Sequence, residues 1–212
     1  AADDSNSAIG FNSTIGGGGR NTASLALATV GGGGSNTASG FVATVSGGQV
    51  NTASGLGSTI SGGRENVASG QDNTIGGGQA NTASGLTGST VSGGRFNVAS
   101  GEHATVGGGL FNKARGEFSV VSGGGRLSPL DSNVALGNWS AIGGGAGNTA
   151  SGEFATVSGG GINRARGQFS VVAGGGGANA ADSNSALGDW SAIGGGIANS
   201  AGGFRSTVGG GG

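Results

Sequence analysis

A Val or Ile stands just before a Gly-rich turn at positions 15, 30, 45, 60, 75, 91, 106, 121, 142, 157, 172, 193 and 208. The step between them is 15 residues, broken once by a step of 16 and twice by a step of 21. Asn keeps the same beat at 21, 36, 51, 66, 81, 97, 112, 148, 163 and 199, and the unit reads N-T-A-S-G-x-x-A-T-V-S-G-G-x-x. A repeat this strict constrains the fold more than any other feature. Each unit has to be one small element that buries its apolar face against its neighbours. The unit is too short for a pair of helices. It reads as two short strands, "NTASG" and "xxATVS", with Gly supplying the corners. Side chains alternate with period two, so Val121, Ser119 and Glu117 share one side and Val120 and Phe118 the other. The expected fold is all-β, a parallel β-roll or β-solenoid of about thirteen short coils. It forms a single repetitive domain over residues 1–212, with longer 21-residue coils near 122–142 and 173–193.

Composition enters because such a coil has little to bury. Of 212 residues 56 are Gly and 33% are apolar. One coil offers about one Ala, such as Ala38, and one Val, such as Val45, to the interior. A thin roll therefore calls for partners. Val120–Val121 and Val171–Val172 place branched apolar residues on both faces of one strand, and the outer face then wants a second chain. Three residues before the final Val of successive units stand His103, Phe118, Trp139, Phe154, Phe169 and Trp190. Stacked one rung apart they form an aromatic column, read as subunit packing, with a ligand-binding aromatic face or an exposed stripe as alternatives.

The formal net charge is -1. Strong electrostatic attraction to nucleic acid or to an anionic membrane is not expected. The chain has no Cys, which excludes disulfides and thiolate chemistry. No apolar run approaches the ~18 residues of a membrane span, so no direct membrane insertion by this segment is expected. The start, "AADDSNS", carries neither Met nor a signal peptide and reads as part of a larger protein.

After the two long steps come "SNVALGNWS" (132–140) and "SNSALGDWS" (183–191), and "SNSAIGFNS" occupies residues 5–13. These strings resemble the N-S-V-A-I-G-x-x-S motif of YadA-like heads in trimeric autotransporter adhesins. Ser132, Val134, Ala135, Leu136, Gly137 and Ser140 fall where that motif has small, apolar, Gly and Ser residues. The "NTASGxxATVSGG" units look like the head repeats of the same family, so the resemblance covers essentially the whole chain. It implies a left-handed parallel β-roll assembled as a homotrimer on a coiled-coil stalk, with a C-terminal barrel in the outer membrane of a Gram-negative bacterium. Phe118, Val120, Trp139, Phe154, Phe169, Val171 and Trp190 are then the candidate trimer-packing residues. The chain departs from the family in its 15-residue coil, where 14 is usual, in its heavier Gly corners and in its six-residue inserts. No heptad stalk, neck or membrane anchor lies in this segment.

Catalytic and metal chemistry find little support. The lone His103 would have to serve both any triad and any His-rich metal site, and a structural role is the plainer reading. Asp131 and Asp182 open the motif after each insert, where a cap or turn role is expected. Glu102 and Glu117 are one step apart, a spacing that suits a retaining glycosidase pair but also follows from stacking alone. The threonines at 14, 29, 44, 59, 74, 90 and 105 form a ladder that resembles those of ice-binding solenoids, without their T-x-T pairs. Neither a cofactor nor a catalytic residue is expected. The candidate ligand-binding residues are the cations Lys113, Arg115, Arg126, Arg164 and Arg166. They are read either as a patch for an acidic glycan or matrix protein, or as intersubunit salt-bridge partners of Glu117, Glu153 or Asp131 that also keep the rod soluble. The expected function is a non-enzymatic adhesin head at the bacterial cell surface, binding host extracellular matrix or cell-surface glycan. A phage tail-fibre or tailspike segment is the alternative, and an ice-binding solenoid the third.

Overall fold

The computed structural model describes residues 4–126 and 128–212. The chain divides into two compact units, Ala1–His103 and Ala104–Gly212. Both are all-β and both are built from the same coil, in a parallel solenoid of about thirteen coils. Among the described residues there are twenty-six strands of two residues each, no α-helix, and two short 3-10 turns at Pro129–Asp131 and Ala180–Asp182. No helix among them is long and apolar enough to cross a membrane.

Each coil contributes one strand ending in Ala and one ending in Val or Ile, and like strands stack in parallel. In the first unit Thr22 and Ala23 lie opposite Thr37 and Ala38, while Thr29 and Val30 lie opposite Thr44 and Val45. The second unit repeats this, with Thr149 and Ala150 opposite Arg164 and Ala165. The first residue of a strand faces outward and the second faces the interior, as the pleat requires. One turn of the coil therefore buries an Asn, an Ala, a second Ala or Ser, and a Val or Ile. Asn36, Ala38, Ala43 and Val45 are all fully buried.

The strands are shorter than the five- and six-residue segments that the repeat implies. Non-glycine residues take the left-handed conformation at both corners of the coil, Leu27 (φ 60) and Val42 (φ 58) at one, Ser35 (φ 55) and Val50 (φ 58) at the other. A left-handed residue turns the chain and ends the strand. Phe118 (φ 53) is one of these, so Glu117 and Phe118 sit on a corner and not in a strand, contrary to the alternation expected there. This conformation costs about 1–2 kcal/mol per residue for an L side chain. Stacking offsets it, because the corner N–H finds a carbonyl on the preceding coil: Leu27 donates to Phe11 at 2.9 Å and Val42 to Ala26 at 3.1 Å.

The Asn of each coil forms a buried polar ladder. Asn36 donates its backbone N–H to Asn21 Oδ1 at 2.9 Å, and its Nδ2 donates to the carbonyls of Gly32 (2.9 Å) and Gly48 (2.8 Å). Asn36 Oδ1 in turn accepts from the backbone and side chain of Asn51, at 3.0 and 3.1 Å. A buried amide is tolerated when its donors and acceptors are filled, as they are here. The ladder also explains the adjacent glycines. Gly33 has φ +88, and a Cβ there would run into the Gly48 carbonyl and lie 2.8 Å from Asn36 Nδ2. Only Gly permits both the backbone angle and the approach.

The longer coils keep this interior and place their extra residues outside it. In the 16-residue coil Thr74 still faces Thr90 and Ile75 still faces Val91. Asn73 stands where other coils have Ala or Ser. It accepts the Ser89 N–H at 2.8 Å and donates to the Gly85 carbonyl at 2.9 Å, closing the enlarged corner. In the 21-residue coils Lys113 faces Val134 and Arg164 faces Ser185. Asn133 and Asn184 continue the ladder, each donating Nδ2 to two Gly carbonyls at 2.8–3.0 Å. The inserts therefore lie wholly between the Gly turn and the ladder Asn. Each ends in a 3-10 turn whose Asp carbonyl rejoins the stack, Asp131 accepting from Gly147 (2.8 Å) and Asp182 from Ala198 (3.2 Å).

Candidate functional site

With the interior committed to one repeated set, any recognition chemistry lies on the outward rows and the inserts. The second unit carries the most distinctive of these. Phe118, Trp139, Phe154, Phe169 and Trp190 occupy the same corner in successive coils, at φ between 53 and 59. Their rings stack with centroid spacings of 5.7, 5.0, 4.8 and 4.2 Å and interplanar angles of 12°, 10°, 2° and 18°. Each stacked pair contributes about 0.5–1.5 kcal/mol. That is comparable with the cost of holding a bulky residue left-handed, which explains how five rings persist in a conformation that disfavours them. The column expected from the sequence is present, and its geometry limits its use. Ring faces cover one another, so only edges point outward along the ladder. A sugar ring packs against an aromatic face, whereas an apolar protein surface packs well against edges. Trp190 is 50% exposed and Trp139 43%.

His103, the first of the six residues that the sequence places in the column, belongs to the first unit. Its Nε2 lies 3.9 Å from Glu102 Oε1. Val120 and Val171 face outward from the stack whose Val121 and Val172 are buried. Val120 faces Ala141 and Val171 faces Ala192, and Thr156 stands between the two pairs, so this outer row mixes short apolar side chains with Thr.

Four of the five candidate cations share one face. Lys113 and Arg164 are the outward residues of their strands, and Arg115 and Arg166 follow two residues on, exposed. The register Lys113–Val134–Thr149–Arg164 sets the two pairs three coils apart, about 14 Å at ~4.8 Å per rung. In the same row Leu136 and Leu187, both exposed, each follow an arginine by one coil, with Ser151 between Leu136 and Arg166. Arg164 Nη1 donates to Ser183 Oγ at 3.1 Å. Among the described residues none of the four makes an ion pair within the chain. Arg126 is set apart from them, in the first insert.

On the same corner, one residue before each ring, runs a row of acids and amides, Glu117, Asn138, Glu153, Gln168 and Asp189. Asn138 Oδ1 accepts the Glu117 N–H at 3.0 Å, and Asp189 Oδ1 accepts the Gln168 N–H at 2.8 Å. Gln168 Nε2 donates to Glu153 Oε2 at 2.8 Å. Along this row of the second unit an amide separates each carboxylate from the next, and two of the amides and acids brace the backbone of the coil before. These residues serve the corner first. The threonine ladder of the first unit places one outward Thr per rung, Thr29 opposite Thr44 and Thr44 opposite Thr59.

Sequence reasoning missed two features. One is the ladder role of Asn133 and Asn184, hidden because the inserts break the count from the preceding Gly turn. The other is a difference between the insert aspartates: Asp131 closes a 3-10 turn, as expected of it, but among the described residues its side chain takes no hydrogen bond in that loop. There Ser128 Oγ accepts the Leu130 N–H at 3.2 Å. Its counterpart Asp182 accepts from the backbone and side chain of Asn179, both at 3.2 Å. No protein-family model matches the chain, and no curated protein matches it in sequence.

Proposed function

We propose that this chain is the head of a YadA-like surface adhesin, a left-handed parallel β-roll acting as a homotrimer at the bacterial cell surface. Other regions of the same protein would hold it in the outer membrane. Its task is attachment without catalysis, to host matrix protein or cell-surface glycan, through many weak contacts that three chains combine into avidity. The observation that carries this reading is the outer surface of the second unit. A ladder of five ring edges suits packing against another copy, and two cation pairs repeat along one face at a three-coil interval. The resemblance of "SNVALGNWS" and "SNSALGDWS" to the family's head motif points the same way.

In this reading Phe118, Trp139, Phe154, Phe169 and Trp190, with Val120 and Val171, meet the neighbouring chain. Lys113, Arg115, Arg164 and Arg166 face the acidic ligand. The test is a solid-phase binding assay of the purified chain on collagens, fibronectin, laminin and sulfated glycans. The expected result is saturable binding that weakens as salt rises, and that drops at least tenfold when all four cations are changed to Gln. Absence of binding to the whole set, or binding indifferent to salt and to the four changes, would overturn the proposal.

A further inference from the structure

The two inserts of the second unit enclose a cleft of about 370 Å³. They stand three coils apart, with two ordinary coils between them as a floor. One wall brings Arg126 and Asp131, the other Gly177 and its neighbours, and the floor is Ala146, Gly161 and Ile162. We propose that this cleft is a binding site for a terminal acidic sugar, one pyranose bearing a carboxylate. The proposal deepens the adhesin reading and rests on it for the source of the ligand.

Three observations carry it. First, the floor is kept open by residue choice. Ala146 and Gly161 are paired across adjacent coils, in the row of the repeat that carries Gly19, Gly34, Gln49, Arg64, Gln79 and Arg95 in the first unit. A long side chain at Ala146 would fill the cleft, whereas Gly161 is set by the second insert itself, since a Cβ there would run into the Gly177 carbonyl. Second, Arg126 and Asp131 are uncommitted: neither makes an ion pair or a side-chain hydrogen bond within the described residues. The equivalent Asp182 of the other insert is held by Asn179. The two inserts share a place in the super-repeat, yet only the first presents a free carboxylate. Third, the donor set matches one ligand class. A guanidinium fork takes a carboxylate in two parallel bonds, and an aspartate accepts from sugar hydroxyls. The Ile162 side chain gives the C–H face of a ring an apolar bed, and the glycine wall offers peptide groups without side chains in the way.

The test is a titration of the purified chain followed by ligand-observed NMR, using methyl sialoside, methyl glucuronide and methyl galactoside as probes, with free glycine as a zwitterion control. The expected result is saturable binding of an acidic glycoside at millimolar concentration or tighter, with the galactoside at least tenfold weaker. R126Q is expected to weaken it about tenfold or more. A146Q is expected to abolish it while leaving the melting temperature unchanged, because Gln49 and Gln79 show that this row accepts Gln. Equal binding of the galactoside, preferential binding of glycine, no binding of either acid, or unchanged binding by A146Q would each overturn the proposal. Adhesion assayed in parallel separates the two readings. Loss of the cleft with adhesion intact removes this site alone, whereas sugar binding without adhesion to any surface removes the adhesin reading and leaves the site.

Discussion

The two units run the same interior and wear different exteriors. In both, Asn, Ala, a small residue and a β-branched residue fill each coil, and a buried Asn ladder ties the coils together. In the first unit the aromatic corner of the second is occupied by residues such as Leu27, Val42, Gly57 and Asp72, and the row beside the ladder carries Gly, Gln and Arg. The second unit places five stacked rings at that corner, two cation pairs on one face, and two inserts. The lesson is that the inward set alone decides whether the coil forms. The outward residues then vary without disturbing it, and specialised surface appears in only one unit.

That comparison breaks first if the ladder is not the common support. Asn51→Ala in the first unit and Asn148→Ala in the second each strip partners from two Gly carbonyls and one backbone N–H. Gly63 and Gly160 keep a backbone donor each, from Gln49 and Ala146, but the other carbonyl and the next Asn N–H lose theirs; at about 1–3 kcal/mol for each buried unpaired group, both variants should lose about 3 kcal/mol in denaturant unfolding. Similar losses would sustain the shared interior, and a loss in one unit only would refute it. Asn73→Ala should cost less, about 2 kcal/mol, and its effect should vanish when Thr87 is deleted to restore a 15-residue coil. Persistence of the loss in the shortened coil would mean that Asn73 does not serve the enlarged corner.

A smaller effect on the fold is expected from Phe154→Gly. It removes two ring contacts, at 5.0 and 4.8 Å, and relieves a left-handed residue, so chain stability should stay within about 1 kcal/mol. Assembly measured by sedimentation should nevertheless weaken. A large loss of stability with assembly intact would turn the ladder into a device of the single chain. Smallest of all is Ser119→Ala, expected within about 0.5 kcal/mol by thermal melting. Ser119 Oγ is buried without a partner, and Ala104 and Ala155 occupy the same row. A loss well beyond that would show that the hydroxyl is used.

Much of this architecture is legible in the repeat itself. The rows through Ala38, Val45 and Val121 were readable because burial in a β coil imposes a period, and the aromatic column because equal spacing places residues on one line. Strand length was not readable. Leu27, Val42 and Phe118 are ordinary strand-forming residues, and nothing in their identity announces a left-handed corner, which the ladder of neighbouring coils enforces. The cations show both sides of the limit. Lys113, Arg115, Arg164 and Arg166 share a face because they share register, while Arg126 was grouped with them on charge alone and lies in an insert. The cleft depends on what two loops enclose three coils apart, and the small Ala146 alone hints at it in the sequence.

Under the proposal that these thin coils work as three chains together, light scattering of the purified chain at micromolar concentration should give a single folded species of three times the 19.5 kDa chain mass. A stable, folded species of one chain mass, with its β signal intact, would contradict it.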